Sequence, residues 1–188
     1  MWINADLDIA WNNKWQSVFT AELRAKDDIS QIDLYSLGSF TNYNWTKFFR
    51  LGFGYELFAN NVKNHRIKWE HRMMIQSNIQ HSVGRIKIGW RSSYMDTFYS
   101  FSDPNFGMRN RLKVDYSLPK NQIKPFVSTE LYHKFDHGIG HQKNRYTGGI
   151  HYKFKAKQQL DFYYMIEDYS TKTFTRHVIG IGYSYTFL

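Results

Sequence analysis

Apolar and polar residues alternate along most of this chain. From Ile3 to Trp11, the apolar residues Ile3, Ala5, Leu7, Ile9 and Trp11 take every second position, and Asn4, Asp6, Asp8 and Ala10 fill the gaps. Successive side chains of a strand point to opposite faces, so a period of two predicts a strand with one apolar and one polar face. The period returns further on. Phe49, Leu51, Phe53, Tyr55 and Leu57 oppose Arg50, Gly52, Gly54 and Glu56. Leu160, Phe162, Tyr164 and Ile166 oppose Asp161, Tyr163 and Glu167. Ile179, Ile181, Tyr183, Tyr185 and Phe187 oppose Gly180, Gly182, Ser184 and Thr186. About eleven segments of about ten residues follow one another, each near the length of a tilted membrane strand. No stretch carries a convincing helical period. No apolar run approaches the roughly 20 residues of a membrane helix.

The connections alternate in length. Asn12 to Lys14, Asn42 to Trp45, Gln80 to Val83 and Lys155 to Lys157 are short, whereas Lys26 to Gln31, Ala59 to His65, Ser92 to Gly107 and Lys134 to Lys143 are longer. Short periplasmic turns at one rim and longer extracellular loops at the other give this asymmetry in a membrane barrel. Trp11, Trp15, Trp45, Tyr116, Phe154 and Phe187 gather at the short-turn strand ends, where an aromatic girdle is expected. Strand parity is the difficulty. Bacterial barrels usually have an even count. An even count here requires a strand before Trp2 or two merged strands near Ser92 to Asp103.

Alternation does not say which face is inside. Three features turn the apolar face outward: the wide lumen of so many strands, the density of opposite charges on the polar face, and the aromatics at the strand ends. The mean hydropathy of -0.59 fits, because only every second residue meets lipid. The expectation is an all-β chain: one domain, residues 1–188, forming a single antiparallel up-and-down transmembrane β-barrel of about 10–12 strands. Its first partner is the lipid of a bacterial outer membrane. No signal peptide precedes Trp2-Ile3-Asn4, so this address is inferred from the strand pattern.

Composition removes other classes. There is no cysteine, which excludes disulfides and thiolate chemistry. The net charge is +9, but Lys and Arg are spread along the chain and mixed with acids, with no basic tract or nucleic-acid motif. Nucleic acid is therefore not an expected partner, and no cofactor or metal site is expected.

The charges assigned to the lumen are Glu22, Arg24, Arg50, Glu56, Glu70, Arg72, Arg85, Arg91, Arg109, Arg111, Asp115, Glu130, Arg145 and Asp161. They support two readings. Ion pairs that fill a narrow lumen give a structural or interaction barrel, the reading preferred from sequence, because unpaired buried charge is costly. An excess of arginine gives a small anion-preferring pore. His133, His137 and His141 recur every four residues, a spacing that converges on a helix but not on a loop leaving a strand. His71 falls on the lipid face, which implies a register shift, an interfacial depth or a partner contact. Ser128, Glu130 and His133 suggest a hydrolase, but alternation sets His133 opposite the other two and no G-x-S-x-G elbow is present. Catalysis is not expected. Tyr94, Phe98, Tyr99, Phe101 and Phe106 crowd one connection and suggest a protein partner bound through extracellular loops, or else an extension of the strands.

The second half carries a further likeness. Arg109-Asn110-Arg111-Leu112 to Leu118, Lys124-Pro125-Phe126-Val127-Ser128-Thr129-Glu130-Leu131, Asn144-Arg145-Tyr146-Thr147-Gly148-Gly149-Ile150-His151-Tyr152, Leu160-Asp161-Phe162-Tyr163-Tyr164 and His177-Val178-Ile179-Gly180 to Phe187 follow in order. This succession resembles the DUF2490 group of small outer-membrane β-barrel proteins found mainly in Bacteroidota. The ending Tyr183-Ser184-Tyr185-Thr186-Phe187 resembles the terminal signal of outer-membrane barrels, with Leu188 in place of a final aromatic. The resemblance implies a fold and a location rather than an activity.

Overall fold

The computed structural model describes residues 1–26, 29–62, 66–99, 102–119, 122–135, 140–170 and 175–187. Nearly all of them lie in eleven strands: β1 (Trp2–Ala10), β2 (Trp15–Lys26), β3 (Gln31–Asn44), β4 (Phe49–Val62), β5 (Arg66–Val83), β6 (Ile86–Tyr99), β7 (Ser102–Tyr116), β8 (Ile123–Lys134), β9 (Gly140–Lys155), β10 (Gln158–Tyr169) and β11 (Thr175–Phe187). Each strand pairs with its neighbours in sequence, and β11 closes on β1 to complete a barrel.

That closure answers the parity question. The count is odd, and β1 and β11 run parallel, in register from Trp2 beside Gly180 to Ile9 beside Phe187. Consecutive strands elsewhere are antiparallel, from the β1–β2 ladder to the β10–β11 ladder. Neither a merged strand near Ser92 nor an additional one is needed to close the ring. Closure matters physically because lipid offers no hydrogen bonds to an open edge.

Local chemistry sets the turns at one rim. Asn12 Oδ1 accepts from the backbone N–H of Lys14 and Trp15 at 2.9 Å each, and Thr46 Oγ1 accepts from Phe48 and Phe49 at 3.1 and 3.0 Å. Such side-chain caps tighten a reversal. Gly84 takes the left-handed conformation (φ 59°) that lets β5 turn into β6 within two residues.

The opposite rim differs from expectation. Ladder extends into the segments read as longer loops, least at Lys26 to Gln31, and strand length is uneven: β5 reaches 18 residues against 9 in β1. In particular, Ser92 to Gly107 is mostly the β6–β7 hairpin rather than a loop. A register shift between Thr97 and Tyr99 and the outward polar residues Ser92 and Asp96 break the alternation there and hide the strands.

The apolar face points outward. Leu37, Ile75, Val83 and Ile179 are each more than 60% exposed, as are Trp11 and Trp45 at the short-turn rim. Trp15, Tyr43 and Trp45 pack ring to ring there, with centroids 4.9 and 6.2 Å apart. Tyr152, Phe154 and Tyr183 continue the band. A continuous apolar belt with an aromatic rim is the exterior of a membrane barrel. No helix among the described residues is long and apolar enough to cross a membrane.

Candidate functional site: the barrel lumen

Strand parity turns the polar face inward. The sequence-assigned charges Glu22, Arg24, Arg50, Glu56, Arg72, Arg91, Arg109, Arg111, Glu130, Arg145 and Asp161 line two lumenal cavities of about 270 and 530 Å³. Glu70 and Asp115 lie on the same inward faces of β5 and β7. Arg85 does not: it sits beside Gly84 in the β5–β6 turn, exposed, because the strand starts only at Ile86. The larger cavity lies toward the short-turn rim. Both cavities touch Trp2, Thr20, Glu22, Glu56, Arg109 and Arg145, which form the waist between them.

The waist is built on aromatic and guanidinium planes. Trp2 is only 5% exposed although it opens the first strand. Arg24 Cζ lies 3.9 Å and Arg145 Cζ 5.0 Å from its ring centroid. Arg145 also lies over Tyr132, at 5.2 Å, with Lys143 at 4.8 Å and Arg109 at 5.8 Å. Flat cations over ring faces are attracted by the ring quadrupole, and more strongly where water is scarce.

Two carboxylates organise this cluster. Glu130 Oε2 accepts from Arg145 Nη1 at 3.1 Å and from the Tyr132 hydroxyl at 2.7 Å. Its Oε1 lies 3.8 Å from Arg91 Nη2 and 4.0 Å from Arg111 Nε. Glu167, 1% exposed, takes Arg145 at 2.6 Å and Lys143 at 2.9 Å. Arginine's rigid fork suits such shared recognition.

A second network fills the wall lower down. His151 Nδ1 meets Asp161 Oδ1 at 2.6 Å, and its Nε2 lies 2.8 Å from Lys113 Nζ and 3.2 Å from Asp115 Oδ1. Elsewhere Arg72 pairs with Glu56 at 3.3 Å, Arg24 with Glu22 on the same strand, and Arg176 with Asp33 at 3.3 Å. These pairs run mainly along the wall. The two cavities lie beside them.

The ring order gives the lumen opposite sides. With eleven strands, β1 and β2 stand across from β6, β7 and β8. Asp6 and Glu22 on the first side face Arg91, Arg109, Arg111 and Lys113 on the second, all lining the larger cavity. Trp2, Asp6, Lys113, Lys143, His151 and Glu167 were missing from the sequence-assigned set. Parity could have found them: Glu167 shares a face with Asp161, and Lys113 with Arg111.

The other predicted features fall outside the lumen or at its rim. Tyr94, Phe98 and Phe106 are exposed on the outer face of the β6–β7 hairpin, Tyr99 is half-buried and accepts from Asn105 Nδ2 at 3.3 Å, and Phe101 lies outside the described residues. His71 is outward and exposed, as the alternation predicts; its Nδ1 shares a 2.5 Å hydrogen bond with the Tyr55 hydroxyl on the next strand. His133 and His141 meet across β8 and β9 with ring centroids 5.5 Å apart, while His137 lies outside the described residues. Among the described residues, no three His, Cys, Asp or Glu side chains gather as metal ligands.

Two solved structures share the architecture. A KdgM porin, and a KdgM porin in complex with disordered oligogalacturonate, superpose with TM-scores of 0.55 and 0.56; each is 14% identical, over 100% of this chain and 90% of the other. At that identity the likeness speaks for the fold. No curated protein matches the chain. The sequence matches the family described as "Protein of unknown function (DUF2490)" over residues 1–178, and with a barrel fold shared with porins the chain belongs to that family.

Proposed function

We propose that this barrel is a narrow outer-membrane diffusion pore that prefers small anions. The observation that carries the reading is the basic wall of Arg91, Arg109, Arg111, Lys113 and Arg145 along a cavity of about 530 Å³, with Glu130 as the carboxylate among the arginines. A wall of fixed cations in a low-dielectric channel raises the local concentration of anions and lowers that of cations. On this reading the solute passes from the upper cavity by way of the waist to the lower cavity. The similar porin's bound ligand is a polyanion, which agrees with an anionic cargo.

The test is current through purified protein in a planar bilayer under a KCl gradient. The expected reversal potential has the sign of chloride preference, and Arg109→Glu with Arg111→Glu moves it toward potassium. A barrel that inserts without conducting, or that prefers potassium, overturns the reading.

A second reading, an interaction barrel, is favoured by one observation. Asp96 lies on the outer face of β6 in register with Phe106, between exposed Tyr94 and Phe98, and its buried Oδ1 has no hydrogen-bond partner among the described residues. An acid within exposed aromatics fits a cationic side chain of a protein partner. Asp96→Asn would weaken co-purification of that partner and leave conductance unchanged.

A further inference from the structure

Arg24, Arg72 and Arg145 each have a carboxylate oxygen within 3.3 Å, whereas Arg91, Arg109 and Arg111 crowd together around the single, more distant Glu130. Arg91 and Arg111 are direct cross-strand partners on the inner faces of β6 and β7, and Arg109 follows Arg111 two positions along the same face. Like charges set directly opposite on a sheet destabilise it. The usual remedy is a carboxylate between them. Glu130 Oε1 comes no nearer than 3.8 Å to Arg91 and 4.0 Å to Arg111, beyond hydrogen-bond reach. Its other oxygen is already taken by Arg145 and Tyr132. Arg109 makes one long contact, Nη1 to the Tyr132 hydroxyl at 3.5 Å. The Nε atoms of Arg91 and Arg109 are both buried with no hydrogen-bond partner among the described residues. Leaving such donors unmet in a buried site is expensive. Arg145 on β9, beyond β8, is by contrast met at Nε, Nη1 and Nη2 by Glu130 and Glu167.

We infer that Arg91, Arg109 and Arg111 form a binding site for a phosphate group, free or on a small phosphate monoester, at the wall of the lumen. The donor set selects the ligand. A planar carboxylate matches one guanidinium fork. Three forks on adjacent strands ask for an anion with three or more acceptor oxygens and a charge near −2. Phosphate offers both, and the larger cavity beside these residues has about 530 Å³ of room. The bound group would lie between Arg91 and Arg111 and offset their mutual repulsion. This site rests on the pore reading only in needing a lumen that admits the solute.

The experiment is calorimetric titration of inorganic phosphate into the detergent-solubilised barrel in a chloride-free buffer, repeated with glycerol 3-phosphate and with acetate. One saturable site for phosphate, at least tenfold tighter than for acetate, is expected. Tighter binding of glycerol 3-phosphate assigns the site to a monoester, and tighter binding of phosphate to the free ion. The double variant R91Q/R111Q should lose at least tenfold in affinity, whereas R72Q, whose arginine is paired with Glu56, should keep it. Heat-modifiable gel mobility checks that each variant is folded. If the double variant does not fold, R109K keeps the charge, removes the fork and carries the same expected loss. Equal binding of acetate, or phosphate affinity untouched by these substitutions, overturns the site. A barrel that conducts chloride but binds no phosphate removes the site and keeps the pore. One that binds phosphate but passes no current keeps the site and removes the pore.

Discussion

Trp2 and Arg145 meet inside the barrel, the guanidinium carbon 5.0 Å from the indole centroid, although β10 and β11 lie between their strands. Both touch the two cavities, so the contact lies at the level where these meet. Trp2→Ala removes the ring and joins the cavities. Single-channel conductance should rise, and the midpoint of urea unfolding in vesicles should fall by an amount worth about 3–5 kcal/mol, as for other buried Trp truncations. Trp2→Phe should fall between. An unchanged conductance for Trp2→Ala would place the limiting level elsewhere.

Gly180 lies beneath the Tyr163 ring. It is the register partner of Tyr163 across β10 and β11, and an added Cβ would stand 2.0 Å from the ring carbon Cζ. Gly180→Ala must push Tyr163 further into the lower cavity, which Tyr163 lines. A loss of about 1–3 kcal/mol is expected from such overpacking, along with a smaller conductance. Gly148→Ala is the control. Nothing lies within 4 Å of its added Cβ, so stability should stay within about 0.5 kcal/mol. Equal behaviour of the two variants in urea titration contradicts the packing described for Tyr163.

The parallel seam can be trapped covalently. Ala5 on β1 and Tyr183 on β11 are register partners on the outer face, and the chain has no cysteine of its own. Neighbouring strands stand about 4.8 Å apart, within the span of a disulfide. The double variant A5C/Y183C should crosslink under mild oxidation in the folded barrel and change its gel mobility. The pair A5C/I181C, one step out of register, should crosslink far more slowly. Failure of the first pair beside success of the second would mean a shifted seam.

Much of the fold was legible in the alternation, because lipid outside and charge inside impose opposite demands on successive residues. The lumenal set followed from the same rule, except Arg85, where a two-residue turn cuts the strand one position later than the pattern suggests. What the alternation does not contain is how strands meet. Period two is identical in parallel and antiparallel ladders, so the β1–β11 seam shows in the sequence only as the odd count of segments. Nor does it show level along the axis. Trp2 reads as the start of a strand and not as the ring against which Arg24 and Arg145 stack. The β6–β7 hairpin was obscured for a different reason: its outer face carries Ser92, Asp96 and Asn110 among the aromatics, so the contrast between faces fades where the hairpin nears its rim.

The acids of β1 and β2 and the arginines of β6 and β7 stand on opposite sides of one cavity. On the pore reading, a solute at that level would experience a sideways torque as well as an attraction. A zwitterion, neutral overall, is turned until its negative end lies toward Arg109 and Arg111 and its positive end toward Asp6 and Glu22. The barrel would then sort solutes by how their charge is distributed as well as by how much they carry. Two isomers of equal size and net charge would cross at different rates.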